Sequence, residues 1–180
     1  MKNITNQNGR SMIEMLGVLA IVGVLSVGGI AGYSKAMQKY RTNKLVDQIT
    51  QVANGVHTLY SHQKNFDGLD MQVLRKAKIL PESAFNVTGS VVDAYGIHPF
   101  SGKLGLFGYM DGFRIELYDI PEDACIELLS QDWNSLGTDS YGVMGAVHSS
   151  NGQAIPMENV LLGCSMHSNN ETPIYFAFKK

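Results

Sequence analysis

The sequence predicts an α+β protein: one long N-terminal α-helix packed on a small antiparallel β-sheet, with a second helix and, in an exported chain, one disulfide. Three observations carry this reading. Apolar residues crowd into Met12–Tyr33 and then recur at helical spacing as far as Tyr60, with no proline before Pro81. Met110-Asp111-Gly112 separates two strand-like runs, and Asp-Gly is a strong hairpin signal. Two cysteines, Cys125 and Cys164, stand far apart and outside any CxxC pair.

The first element divides into parts. Residues 1–9, MKNITNQNG, are short and polar. Residues 10–33 form the apolar half of the helix, where Glu14 and Tyr33 are the ionisable groups after Met12. About 20 apolar residues rising 1.5 Å each span a bilayer core, so this run is long enough to cross one. It lacks the small-residue cleavage site of an ordinary secretory signal. Lys2 and Arg10 precede it, and Lys35, Lys39, Arg41 and Lys44 follow, so charge counting leaves its orientation open. Glu14 is either a functional carboxylate, as ionisable groups in a membrane helix tend to be, or a side chain snorkelling to the nearby interface. Gly17, Gly23, Gly28, Gly29 and Gly32 stud the run; small residues let helices approach closely in lipid. The Gly28-Gly29 pair is also its weakest point, since each glycine costs a helix up to about 1 kcal/mol relative to alanine.

Residues 34–180 read as the globular domain together with the amphipathic half of the helix. Leu45, Ile49, Val52, Val56, Leu59 and Tyr60 form the stripe expected to lie on it. Asp70 is placed to cap a short helix over 71–78, which Pro81 keeps from extending. Asn86–Gly102 reads as loop with short extended pieces. Lys103–Tyr109 and Phe113–Tyr118 form the hairpin, and Glu122–Gln131 forms the helix that holds Cys125. Strands are expected over 141–148, 161–166 and 174–178. Short antiparallel strands under one long helix suggest an α+β roll.

Composition excludes more than it selects. A net charge of −2 and the lack of a basic stripe interleaved with aromatics give no reason to expect a nucleic-acid partner. His57, His62, His98, His148 and His167 form no HExxH, and His57 and His62 are off a common helical face, so surface histidines are expected rather than a metal site. Gly105-x-x-Gly108 lacks the lysine and hydroxyl of a phosphate loop. No serine sits in a G-x-S-x-G elbow. Asp67, Gly68 and Asp70 are only a fragment of a calcium loop. No catalytic residue, metal or cofactor is expected. Trp133 is either an exposed aromatic or, as the commoner case, a core residue. Export makes Cys125 and Cys164 natural disulfide partners; a cytosolic chain would leave them as two buried thiols.

Gly9-Arg10-Ser11-Met12-Ile13-Glu14-Met15-Leu16 resembles the signal of type IV prepilins and type II secretion pseudopilins: a polar leader ending in glycine, then an apolar helix with glutamate at its fifth position. The later order is similar to that of type IVb pilins, especially the PilS-like group. The shared pattern is a hairpin, then Ile120, Pro121 and Cys125, a second helix, a later Cys164 and an aromatic last strand. The nine-residue leader is shorter than is common there, and Arg10 replaces the usual Phe or Met. The resemblance implies cleavage by a prepilin peptidase between Gly9 and Arg10, N-methylation at Arg10, and neutralisation of a neighbour's new amine by Glu14. It implies an inner-membrane precursor, an assembly platform in that membrane, and a helical homopolymer of identical subunits at the bacterial surface. Cys125 and Cys164 would bound the variable region, with exposed loops over 132–140 and 149–158. Whether such a filament serves adhesion, motility, DNA uptake or secretion rests on partner proteins and surface loops. A minor pilin or pseudopilin is a second reading, and a membrane-anchored periplasmic enzyme or binding protein a third.

Overall fold

The computed structural model describes residues 12–88, 91–167 and 172–180. The chain divides into two compact units, residues 1–38 and 39–180. Helix α1, Met12–Tyr60, is a single element, as its unbroken pattern predicts. Its buried residues, Thr42, Leu45, Gln48, Ile49, Val52, Ala53 and Val56, follow a three-and-four spacing that draws one stripe along the helix. Leu59, expected in that stripe, is exposed. Tyr60 is half-buried and stacks on Phe66 with ring centroids 5.3 Å apart.

The 39–180 unit is built on a seven-stranded sheet of order β1-β2-β3-β4-β7-β5-β6. The strands are β1 Phe85–Thr88, β2 Val91–Ile97, β3 Lys103–Gly108, β4 Gly112–Leu117, β5 Thr138–Val143, β6 Val147–His148 and β7 Ile174–Lys179. All the pairings are antiparallel. The β3–β4 hairpin forms about the Asp-Gly turn, with Gly108 opposite Phe113. Strand alternation sends Phe113, Ile115 and Leu117 of β4, with Ile174, Phe176 and Phe178 of β7, into the core. The stripe of α1 covers this face. His57 packs edge-on to Phe113 at 5.2 Å and to Phe178 at 6.1 Å, and Gln48 donates to the Ile97 carbonyl at 3.1 Å.

The remaining α-helices among the described residues are α2 Met71–Lys76, α3 Glu122–Leu129 and α4 Met157–His167. Asp70 caps α2, its carboxylate accepting from the Val73 N–H at 2.8 Å. That helix stops short of 78 because Lys78 adopts a left-handed backbone, φ 54°. One expectation fails outright. The segment 161–166 is helix, not strand: α4 continues to His167 and buries Val160, Gly163, Cys164 and His167 on one side. A helix bounded by Pro156 and buried along a single face needs no β-ladder partner. The extended pieces expected within 86–102 are longer than a loop reading suggests, because Val87 pairs with Val92 and Gly96 with Leu104. The expected strand over 141–148 is two strands, turned at Gly145 with φ 77°.

Candidate functional site

The apolar half of α1 is the candidate site, and Glu14 is its marked residue. Every residue from Met12 to Ala36 is exposed, including Ile13, Leu16, Leu19, Ile21, Leu25 and Ile30. The helix is long and apolar enough to cross a membrane. Glu14 lies in the first turn of the described helix. Ser26 turns its hydroxyl back onto the Val22 carbonyl at 2.7 Å, so this polar group is satisfied within the helix itself. Around Gly17, Gly23, Gly28, Gly29 and Gly32 an added Cβ would meet nothing within 4 Å. Gly9 and Arg10, expected to flank the cleavage point, lie outside the described residues.

The second feature is the disulfide Cys125–Cys164, with Cα atoms 5.7 Å apart, which joins α3 to α4. Both cysteines are fully buried. Between them, Trp133 is buried against Phe176 at 4.5 Å, and its indole N–H donates to the Leu128 carbonyl at 2.8 Å, so the core reading holds. The segments 132–140 and 149–158 are less exposed than expected. Thr138, Ser149, Gly152 and Ile155 are buried, and the Ser149 hydroxyl donates to the Gln153 carbonyl. These segments are seated by local hydrogen bonds rather than hanging free.

The histidines correct the surface expectation. His62 and His148 are exposed, His57 is half-buried, and His98 and His167 are buried. Burial holds the His57 and His98 rings below their ordinary pKa. His98 donates from Nε2 to the Tyr118 carbonyl at 2.6 Å and accepts at Nδ1 from the Phe100 N–H at 3.2 Å, which defines a neutral ring. Among the described residues, no group of three or more His, Cys, Asp or Glu side chains is placed to hold a metal.

Sequence reasoning missed one polar network on the outer sheet face. Glu116 is buried, binds Arg114 at 2.6 Å and accepts from the Tyr118 hydroxyl at 2.8 Å. Burial and the Glu116 carboxylate together push the Tyr118 phenol well above its ordinary pKa. Arg114 lies over the Tyr109 and Phe107 rings at 5.4 and 5.9 Å. The alternation around Arg114 and Glu116 was visible in the sequence, but not their burial.

Residues 39–176 match the family described as PilS N terminal. This chain belongs to the type IV pilin family and is type IVb-like. The pilin is 24% identical over 140 residues to the major structural subunit of bundle-forming pilus of Escherichia coli O127:H6, covering 76% of this chain and 69% of that one. The corresponding subunit of Escherichia coli O111:H- matches to the same extent. The pilin's fold is that of a type IVb pilin from Salmonella typhi, with TM-score 0.55 at 14% identity, covering 77% of this chain and 99% of that one. The pilin is a structural subunit of a pilus.

Proposed function

We infer that this pilin is made as a membrane-anchored precursor, cut between Gly9 and Arg10, and polymerised with identical copies through the apolar half of α1 into a filament at the cell surface. Its role is structural rather than enzymatic. The observation that carries this reading is the uniform exposure of an apolar helix from Met12 to Ala36. Such a surface is costly in water, at about 25 cal/mol per Å² of apolar area, and it is relieved in a bilayer or in a bundle of like helices. The five glycines support the second environment. They weaken the helix by up to about 1 kcal/mol each and meet nothing in their own chain, whereas close approach of neighbouring helices uses their lack of a side chain.

Glu14 supplies the register. Carrying a carboxylate into an apolar medium is costly, and so is carrying in the ammonium that cleavage would create at Arg10. Docking one on the other between neighbouring subunits removes both penalties and sets the axial step. The prepilin peptidase and an inner-membrane assembly platform are the partners this route requires, and N-methylation at Arg10 would follow the cut.

N-terminal sequencing after co-expression with a prepilin peptidase tests the first step: the mature chain begins at Arg10. An uncleaved chain retaining Gly9 would refute the pathway. Glu14→Ala tests the second. Membrane insertion stays normal and sheared filaments disappear; filaments at the wild-type level would sink the register role.

A further inference from the structure

The sheet face that carries Arg114 and Glu116 points away from the core, and it is not flat. Cross-strand pairing shows why. Arg114 of β4, Ala177 of β7 and Ser140 of β5 stand opposite one another in one row. Glu116, Tyr175 and Gly142 make the next row, which His148 of β6 continues. Ala177 and Gly142 are the small members of these rows, so the surface dips between larger side chains. The resulting groove has a volume of about 590 Å³. Tyr109, Arg114, Ser140, His148 and Tyr175 line it, together with the β5–β6 turn at 144–146. Sites for small ligands commonly fall between about 300 and 1,000 Å³.

The lining has one chemical character. Each of its polar side chains can donate a hydrogen bond, and among the described residues that line it there is no aspartate or glutamate. Burial holds the Tyr109 and Tyr175 phenols above their ordinary pKa, so both keep the proton they donate. Ser140 hydrogen-bonds Tyr175. The nearby Asp139 carboxylate is taken by Lys179 at 2.8 Å. Arg114 is held from below. One of its terminal nitrogens meets Glu116 at 2.6 Å, and the second Glu116 oxygen accepts from Tyr118 at 2.8 Å. Glu116 is 3% exposed, so it braces the guanidinium without competing for a ligand in the groove. Arg114 has five N–H donors, and one ion pair does not exhaust them. Because Glu116 offsets part of its charge, a singly charged acceptor suits the site better than a doubly charged phosphate. Met144, Ala146 and Ala177 add apolar surface beside these donors.

We propose that this groove binds a small organic acid, its carboxylate on Arg114 and the flanking hydroxyls and its carbon skeleton on Met144, Ala146 and Ala177. Guanidinium and carboxylate match in charge and in planar geometry. A free acid and the acid group of a sugar present the same carboxylate. The site belongs to the folded subunit and stands whether or not the filament forms.

Equilibrium dialysis on the full-length chain in detergent micelles tests this, with protein-free micelles as the blank. The probes are labelled phenylacetate and glucuronate, with phenylacetamide and glucose as their uncharged counterparts. A bound acid is retained about tenfold or more tightly than its counterpart. Phenylacetate alone identifies a free acid, glucuronate alone the acid end of a sugar, and both together the shared carboxylate. No retention of either acid, or equal retention of each acid and its counterpart, overturns the proposal. Two variants tie binding to the groove. Ala177→Leu fills its floor and leaves the Arg114–Glu116 pair in place. Arg114→Gln with Glu116→Gln removes both charges, so no buried carboxylate is left without a partner. Each weakens retention of the acids about tenfold or more while the melting temperature stays near that of the wild type. Wild-type retention in either variant would place the acid elsewhere and refute the site; if one variant fails to fold, the other decides.

Discussion

His98 shows how burial turns a common side chain into a pH-dependent contribution to stability. The ring is 2% exposed and neutral, with both nitrogens engaged. Burial is the largest influence on its pKa and lowers it; the Tyr118 carbonyl and Asp119 oppose this, and His167 reinforces it. Above the unfolded value of 6.5, folded and unfolded chains are both neutral there, and stability is at its full level. Below it the unfolded chain takes up the proton first, so stability falls by up to about 1.4 kcal/mol per pH unit until the lower folded pKa is reached. His57, lowered by burial alone, adds in the same direction. The urea midpoint of the wild type therefore drops between about pH 7 and pH 5, and His98→Asn flattens part of that drop. An equal slope in that variant would remove His98 from the account. Trp133 is the other residue whose role depends on its surroundings. Trp133→Ala empties a buried site against Phe176 and costs about 3–5 kcal/mol, read as a lower denaturation midpoint.

At the level of elements, the disulfide and α4 belong together. Cys125 and Cys164 are 39 residues apart in sequence, and a closed loop of that size restricts the unfolded chain by about 3–4 kcal/mol. The pair Cys125→Ser and Cys164→Ser should lower the melting temperature by about 10 °C, measured by calorimetry without reductant. An unchanged temperature would mean that packing alone holds α3 on α4. The misreading of 161–166 also belongs to this scale. Leu161, Leu162 and Met166 are compatible with either a strand or a helix, and a six-residue window contains too little period to choose. The signals that favour helix lie just upstream, in Pro156 and in Glu158 within the first turn. By contrast, the capped start of α2 and the Asp-Gly hairpin were legible because each depends on neighbours only a few residues away.

For the molecule as a whole, α1 combines an exposed apolar stretch from Met12 to Ala36 with a stripe buried on the sheet. Gly28 and Gly29 lie within its helix in the single chain, with open space around them. In a filament we expect the helix to stretch or melt at that pair, because two adjacent glycines form its weakest step. Filament density should show a break in the regular helical rise there. An unbroken helix through residues 26–33 would refute this, and Gly28→Ala with Gly29→Ala should stiffen the filament if it holds.

The sequence by itself determined the long helix, its apolar first half, Glu14 and the β3–β4 hairpin. All of these follow from local period, turn chemistry and the exclusion of charge. It also brought forward Cys125 and Cys164, with export as the condition for their pairing. Tertiary structure alone decided that these cysteines meet, that Glu116 and His98 are buried, and that 161–166 is helix. The physical reason is the same in each case: burial and pairing depend on what arrives from distant parts of the chain, and local pattern carries no record of that neighbour.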